Sequence, residues 1–249
     1  MNMNKRRNLG KKIIIGLTAF LLIIIGSFMI YTSNYYHADA SVIEASILAG
    51  GIDISSKDGA MIFDPGNAEA ALIFYPGGKV EYSAYAPLMI KIAHKGILCI
   101  LPKMPFNLAV FDSNAADTYL VDYSEIQQWY IGGHSLGGSM AASYASKSSD
   151  RFKGLVLLAS YSTADLTTNG LKVLSLYGSK DGVLNKDSYL KYKSNLPVDY
   201  TEKVIEGGNH AGFGCYGPQK GDGEADISSE QQQTDTAQAI ADLCLTVEE

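Results

Sequence analysis

Ser135 lies in Gly133-His134-Ser135-Leu136-Gly137, a G-x-S-x-G pattern that follows a short apolar run at 128–132 and precedes Gly138, Ser139, Ala141 and Ala142. The five-residue pattern alone is weak evidence, and its setting is what gives it meaning. A nucleophile elbow turns from strand into helix so sharply that a Cβ at either flanking glycine would collide, and the strain holds the serine hydroxyl clear of the sheet. The small residues that follow supply the close-packing helix such a turn requires. Ser135 is therefore a candidate nucleophile for acyl chemistry.

A neutral hydroxyl is a poor nucleophile, so Ser135 needs a base and a carboxylate to orient that base. The chain has four histidines. His37 borders an apolar N-terminal segment, His94 closes an amphipathic helical pattern at 89–94, and His134 belongs to the elbow itself. His210 is left, in Glu206-Gly207-Gly208-Asn209-His210-Ala211-Gly212, a glycine-rich loop after a β-like run at 200–205. Between Ser135 and His210 the apolar run 171–177 ends in Gly178-Ser179-Lys180-Asp181-Gly182, which makes Asp181 the orienting carboxylate. A plain Asp-Gly turn is the competing reading of that dipeptide. Asp187, Glu206 and Asp165 are the reserve carboxylates.

Acyl transfer through a tetrahedral intermediate also needs two backbone N–H donors, one from the residue after the nucleophile and one from an earlier strand-to-helix loop. Leu136 fills the first place. For the second, the apolar run 71–75 leads into Pro76-Gly77-Gly78-Lys79, where glycines let the backbone turn its amides toward the site. Gly78 is the choice, with Lys79 next.

Tyr-Pro-Gly-Gly-Lys at 75–79, Gly-Gly-His-Ser-Leu-Gly-Gly at 132–138, Gly-Ser-Lys-Asp at 178–181 and Gly-Gly-Asn-His at 207–210 together resemble the α/β-hydrolase superfamily. More narrowly, the chain is similar to the bacterial "α/β-hydrolase fold-5" group, related to dienelactone-hydrolase-like enzymes, from about residue 40 onward. That resemblance implies an α/β fold with a mostly parallel central sheet and helices on both faces. It also implies Ser135 as nucleophile, Asp181 as acid member and His210 as base, in the chain order this superfamily uses. Two departures stand out: Pro76-Gly77 replaces the His-Gly of many oxyanion loops, and Ser135 replaces the cysteine of dienelactone hydrolases proper. The second points away from a dienelactone substrate.

The elements that must position these groups read as alternating strands and helices, the signature of a parallel sheet covered on both faces. Two short strands at 51–54 and 60–63 are expected first, joined by a turn at 55–59. Strands at 71–75, 97–102, 128–132, 154–159, 172–177 and 200–205 follow. Helices are expected at 82–94, 112–121, 136–147, 186–193 and 230–245. The ten or so residues between Ser160 and Leu171 leave no room for a cap domain, so the site should be open. Tyr75, Met104, Phe106, Tyr161 and Phe213 are candidates for either pocket lining or core. The polar segment 217–229 reads as a solvated loop rather than a calcium site.

Lys5, Arg6, Arg7, Lys11 and Lys12 precede a nearly unbroken apolar stretch at 13–31, about nineteen residues, long enough to span a bilayer. The basic flank favours a cytoplasmic N-terminus and an exported C-terminal domain, giving a single-pass cell-membrane protein with an extracellular catalytic part. Cleavage near Ala40, in His37-Ala38-Asp39-Ala40, is the alternative and would give a secreted protein. The expected organisation is a basic tail, anchor and linker at 1–40 and a catalytic domain at 41–249.

In an oxidising compartment Cys215 and Cys244 are candidates for a disulfide, whereas Cys99 sits in an apolar strand and reads as core. A net charge of −6 with no basic, aromatic-interleaved patch argues against nucleic acid as a partner. The absence of CxxC and HExxH patterns, and of a G-x-G-x-x-G directly after a strand, argues against a metal or a dinucleotide, so no cofactor is expected. The function expected is a carboxylesterase-like serine hydrolase acting on a small ester or related acyl compound through an acyl-enzyme. An acyltransferase or peptidase with the same triad, and a non-catalytic surface binding module on the same fold, are the other readings.

Overall fold

The computed structural model describes residues 3–121, 123 and 126–246. By contact density the chain divides into two units, 1–35 and 36–249. The first holds helix α1 (Met3–Ser33). Its segment Lys11–Ser33 is 23 residues long and apolar enough to cross a membrane, a property that anchors and signal sequences share. At 1.5 Å per residue it would reach about 34 Å, against a hydrocarbon core of about 30 Å.

The second unit is built on one sheet. Its elements in chain order are α2 (Ala40–Leu48), β1 (Asp53–Lys57), β2 (Ala60–Asp64), β3 (Ala70–Tyr75), α3 (Ala86–Ala93), β4 (Ile97–Pro102), α4 (Ala116–Leu120), β5 (Trp129–His134), α5 (Leu136–Ala145), β6 (Gly154–Leu158), β7 (Lys172–Gly178), α6 (Lys186–Tyr192), β8 (Thr201–Ile205) and α7 (Ser229–Leu245). Among the described residues the eight strands run in the order β1-β2-β4-β3-β5-β6-β7-β8. The β1 and β2 pairings are antiparallel; every pairing from β4 through β8 is parallel.

Burial explains the layering. β3, β4, β5 and β6 are buried along their whole length, as strands covered on both faces must be. Alternate residues serve opposite cores: Leu72 and Phe74 pack with α3 and α7 residues such as Leu88, Met89 and Ile240, while Ala71, Ile73 and Tyr75 pack with Ala116 of α4 and Ala141 and Ala142 of α5. Among the described residues no helix is inserted between β6 and β7, the junction at which the sequence leaves no room for a cap domain.

Several boundaries differ from expectation for local reasons. The expected helix at 82–94 splits into a 3-10 turn, Tyr82–Tyr85, and α3, because Pro87 suits only the first positions of an α-helix. The helix expected at 112–121 shrinks to α4, preceded by a 3-10 turn at Ala109–Phe111 and by the turn bond from Ala115 N–H to the Asp112 carbonyl. Ser55, Ser56 and Lys57 belong to β1, and the turn is the tighter Asp58-Gly59, both at positive φ, as a two-residue hairpin requires. Helix α2 was not expected; Asp39 caps it by accepting from the Ser41 and Val42 amides.

The Cys215–Cys244 disulfide is absent and all three cysteines are free thiols. Cys215 Sγ takes a hydrogen bond from Gln233 Nε2, so the loop meets α7 at Gln233, eleven residues or about 16 Å along the helix from Cys244. That separation is far beyond the Cα spacing of a disulfide, about 4.4–6.8 Å.

Candidate active site

The expected site residues all follow the C-terminal ends of parallel strands, in the connecting loops or, for Leu136, at the start of α5, where ligands bind in open α/β sheets. Backbone strain gathers in those loops. Six described non-glycine residues have positive φ; apart from Asp58 in the hairpin they are Lys79, Phe106, Asn107, Ser135 and Ala159, in the loops after β3, β4, β5 and β6. Such conformations cost about 1–3 kcal/mol each and persist only where the surroundings impose them.

Ser135 links β5 to α5 at φ 51° and ψ −121°. Its N–H donates to the Leu158 carbonyl at 2.9 Å, and its own carbonyl accepts from Ser160 Oγ at 2.8 Å. The flanking glycines are obligatory: a Cβ on Gly133 would lie 2.6 Å from the Tyr75 carbonyl oxygen, and one on Gly137 would collide with the Tyr75 and Pro76 carbonyl oxygens. The elbow is thus wedged against the end of β3 and the loop that follows it.

In that loop the amides are unequally committed. Gly77 N–H donates to Tyr85 Oη at 3.1 Å and Lys79 N–H to the Asn107 carbonyl at 2.7 Å. Gly78 lies between them, and a Cβ there would be 2.8 Å from Leu136 Cδ2, so Gly78 and Leu136 are neighbours. Leu136 is the first residue of α5, where an amide has no partner within the helix.

Asp181 and His210 are brought together and buried, 3% and 1% exposed. His210 Nδ1 is 2.9 Å from Asp181 Oδ2. Asp181 Oδ1 accepts from the amides of Val183, at 2.9 Å, and Leu184, at 2.8 Å. Burial pushes the Asp181 carboxyl upward, but the hydrogen bond and charge of His210 and these two amides outweigh it, and the net displacement is below the ordinary value. His210 Nε2, the opposite ring nitrogen, is buried with no hydrogen-bond partner in the structure. The ring of His134, next in chain to Ser135, lies 4.4 Å from that of His210, centroid to centroid. The reserve carboxylates are elsewhere: Asp187 is in the first turn of α6, and Asp165 accepts from Thr167 in its own turn.

The sequence reading missed what holds the histidine loop. Asp222, in the segment read as a solvated loop, reaches the loops of both Asp181 and His210: Oδ1 accepts from Gly182 N–H at 3.1 Å and His210 N–H at 3.2 Å, and Oδ2 from Ala211 N–H at 2.8 Å. Gln232 of α7, fully buried, grips the residue before His210 with both ends of its amide: Oε1 accepts from Asn209 N–H at 3.0 Å and Nε2 donates to the Asn209 carbonyl at 2.8 Å. The only sequence signal was an acidic residue in a glycine-rich stretch and a Gln-Gln-Gln run at a helix start. Of the pocket candidates, Tyr75, Met104 and Phe213 are buried core, whereas Phe106 is 48% exposed. Among the described residues no group of three His, Cys, Asp or Glu side chains is arranged to hold a metal ion.

Three solved structures share the fold. A protein described as a CIB-like hydrolase from Thermoplasma acidophilum superposes with a TM-score of 0.52 at 17% identity, covering 77% of this chain and 97% of its own. TT1662 from Thermus thermophilus gives 0.58 at 12% identity, over 79% and 99%. Est1E from Butyrivibrio proteoclasticus gives 0.50 at 12% identity, over 79% and 100%. No curated protein matches the sequence. Residues 71–234, which include the elbow, the Asp181 loop and the His210 loop, match the alpha/beta hydrolase family, and the chain belongs to that family.

Proposed function

We propose that this protein is a membrane-anchored serine hydrolase of the carboxylesterase type, cleaving a small ester or related acyl compound. The observation that carries the reading is the buried His210–Asp181 pair, bonded through Nδ1 at 2.9 Å, with Nε2 left without a partner at the strand ends where Ser135 is presented. A buried nitrogen without a partner calls for an explanation, and a serine hydroxyl that approaches during reaction supplies one. In the first half-reaction Ser135 Oγ bonds to the carbonyl carbon as its proton passes to His210 Nε2. The carbonyl oxygen becomes an oxyanion facing the Leu136 and Gly78 amides. The bond to the leaving alcohol then breaks, and His210 returns the proton to that oxygen. Water repeats the sequence on the acyl-enzyme and releases the acid. Asp181 fixes the tautomer of His210 and stabilises its transient charge.

The commitment of the Gly77 and Lys79 amides to other acceptors is what supports Gly78 as the second oxyanion donor. For the anchor, we take 1–40 as tail, span and linker and 41–249 as the catalytic part, on the outer side. Hydrogen bonds from Tyr36 N–H to the Lys79 carbonyl, Ala38 N–H to Glu81 and Asp39 N–H to the Cys215 carbonyl support retention over cleavage, because cleavage near Ala40 would discard them. The test is hydrolysis of p-nitrophenyl esters of increasing acyl length by the full chain in detergent micelles. Ser135→Ala should fold and lose turnover by roughly 10⁴-fold or more, with Asp181→Asn falling less. Turnover retained in Ser135→Ala would overturn the mechanism.

A further inference from the structure

Behind the elbow a second buried polar system lies outside the triad. Tyr85, fully buried, ends the 3-10 turn before α3. Its hydroxyl accepts from Gly77 N–H at 3.1 Å and lies 2.8 Å from His134 Nδ1. His134 is 1% exposed, and its ring lies against both His210, at 4.4 Å between centroids, and Phe213, at 5.5 Å. Its Nε2 is buried without a hydrogen-bond partner.

Counting donors decides the proton positions. A phenol has one proton to give and lone pairs to accept with. If Tyr85 donates to Nδ1, both its donor and its acceptor functions are used, His134 carries its proton on Nε2, and one buried group is left over. If instead Nδ1–H donated to Tyr85, the Tyr85 proton and the Nε2 lone pair would both be stranded. The first arrangement leaves one orphan and the second leaves two, so the first is favoured. A doubly protonated His134 is disfavoured too, since burial and the neighbouring His210 push its pKa well below the usual histidine value.

We propose that Tyr85 is a positioning residue for this site: its hydroxyl, donating to His134 Nδ1 and accepting from Gly77 N–H, holds His134 as the neutral Nε2–H tautomer against His210 and holds the oxyanion loop beside Leu136. The inference rests on the hydrolase reading above for its catalytic consequence, but the tautomer is a property of the ground state. One hydroxyl thereby serves both halves of the machinery. It fixes which nitrogen of His134 carries the proton beside the imidazole that must accept one, and it fixes the amide preceding the Gly78 donor.

The test uses the full chain in micelles with histidine-selective ¹⁵N labelling and long-range ¹H–¹⁵N spectra at pH 7, the four histidines being assigned by single substitutions. The wild-type protein should show His134 as Nε2–H. In Tyr85→Phe that tautomer should be lost or mixed; kcat on a short p-nitrophenyl ester should fall about tenfold or more with KM within about threefold, because the oxyanion loop acts in the transition state. A merely structural role would lower the melting temperature without that split. His134 found as Nδ1–H or doubly protonated in the wild type would overturn the proposal, and so would a folded Tyr85→Phe with wild-type kcat. If the wild type turns over no ester, the hydrolase reading fails on its own, and the wild-type spectrum still decides the Tyr85–His134 relay, even where Tyr85→Phe does not fold.

Discussion

The loops that present Ser135 and His210 reach the same end of the sheet by opposite means. At the elbow the local chain does the positioning: Gly133 and Gly137 allow backbone to pack on the Tyr75 and Pro76 carbonyls, and Ser135 is forced to φ 51°. At the histidine loop, backbone from 209 to 211 is held by side chains remote in sequence, Asp222 and Gln232 of α7. One geometry is held mainly by close packing of backbone on backbone, the other by hydrogen bonds from distant side chains. The comparison teaches that a turn can be fixed by glycines that admit close backbone packing, whereas a loop held by distant side chains rests on a clamp that substitution can loosen by degrees.

Breaking the elbow should have the largest effect. Gly137→Ala places a methyl group into the carbonyl oxygens of Tyr75, at the end of β3, and Pro76, just after it, backbone that cannot easily move aside, so we expect a loss of about 3 kcal/mol of stability, near the upper end for overpacking, read as a lowered denaturation midpoint. Ester hydrolysis should disappear with it. Near-native stability in this variant would mean that the elbow is not wedged as described.

Loosening the clamp should act on turnover before it acts on folding. Asp222→Ala leaves the amides of Gly182, His210 and Ala211 without their acceptor. Gly182 regains water whereas the buried His210 and Ala211 regain less, and we expect a loss of about 1–3 kcal/mol with kcat down by roughly 10- to 100-fold. Gln232→Ala, fully buried, should cost about 2 kcal/mol from the two Asn209 groups it strands, with a smaller drop in kcat because Asp222 still holds His210. Activity unchanged in both variants would show that the histidine loop keeps its shape without them.

The degree to which each region was legible follows from the same contrast. Gly-His-Ser-Leu-Gly carries its geometry in its own letters, so the elbow, the strand before it and the helix after it were readable to within two residues. The apolar runs of β3, β4, β6 and β7 were equally plain. Asp222, Gln232 and Tyr85 were not, because each acts on a residue 12, 23 or 49 positions away that only the fold brings near. The splitting of the helix before Pro87 and the capping of α2 by Asp39 had signals that went unread, a proline suited to a helix start and an aspartate ahead of Ala-Ser-Val-Ile. Whether Cys215 and Cys244 pair stayed open because sequence does not reveal at which turn of α7 the loop arrives.

The smallest effect is electrostatic. His134 is held below its usual pKa, so below about pH 6.5 the unfolded chain binds a proton that the folded one refuses, and stability falls as the pH drops through that range. Asp181 is also held below its ordinary value, so its contribution is present above about pH 4 and is lost as the pH falls further. Urea denaturation across about pH 2.5–8 should show the first slope, at most about 1.4 kcal/mol per pH unit, and His134→Gln should flatten it while leaving the limb below about pH 4. A slope unchanged in His134→Gln would assign the acid sensitivity to other groups.

The most direct measurement of the central claim is labelling of the full chain, in micelles, with a fluorophosphonate, followed by mapping of the modified peptide. The site described here predicts a single adduct on Ser135 that forms in the wild type and is lost in His210→Ala. An intact, folded protein that takes no adduct, or one labelled equally well without His210, would contradict an activated serine at this elbow.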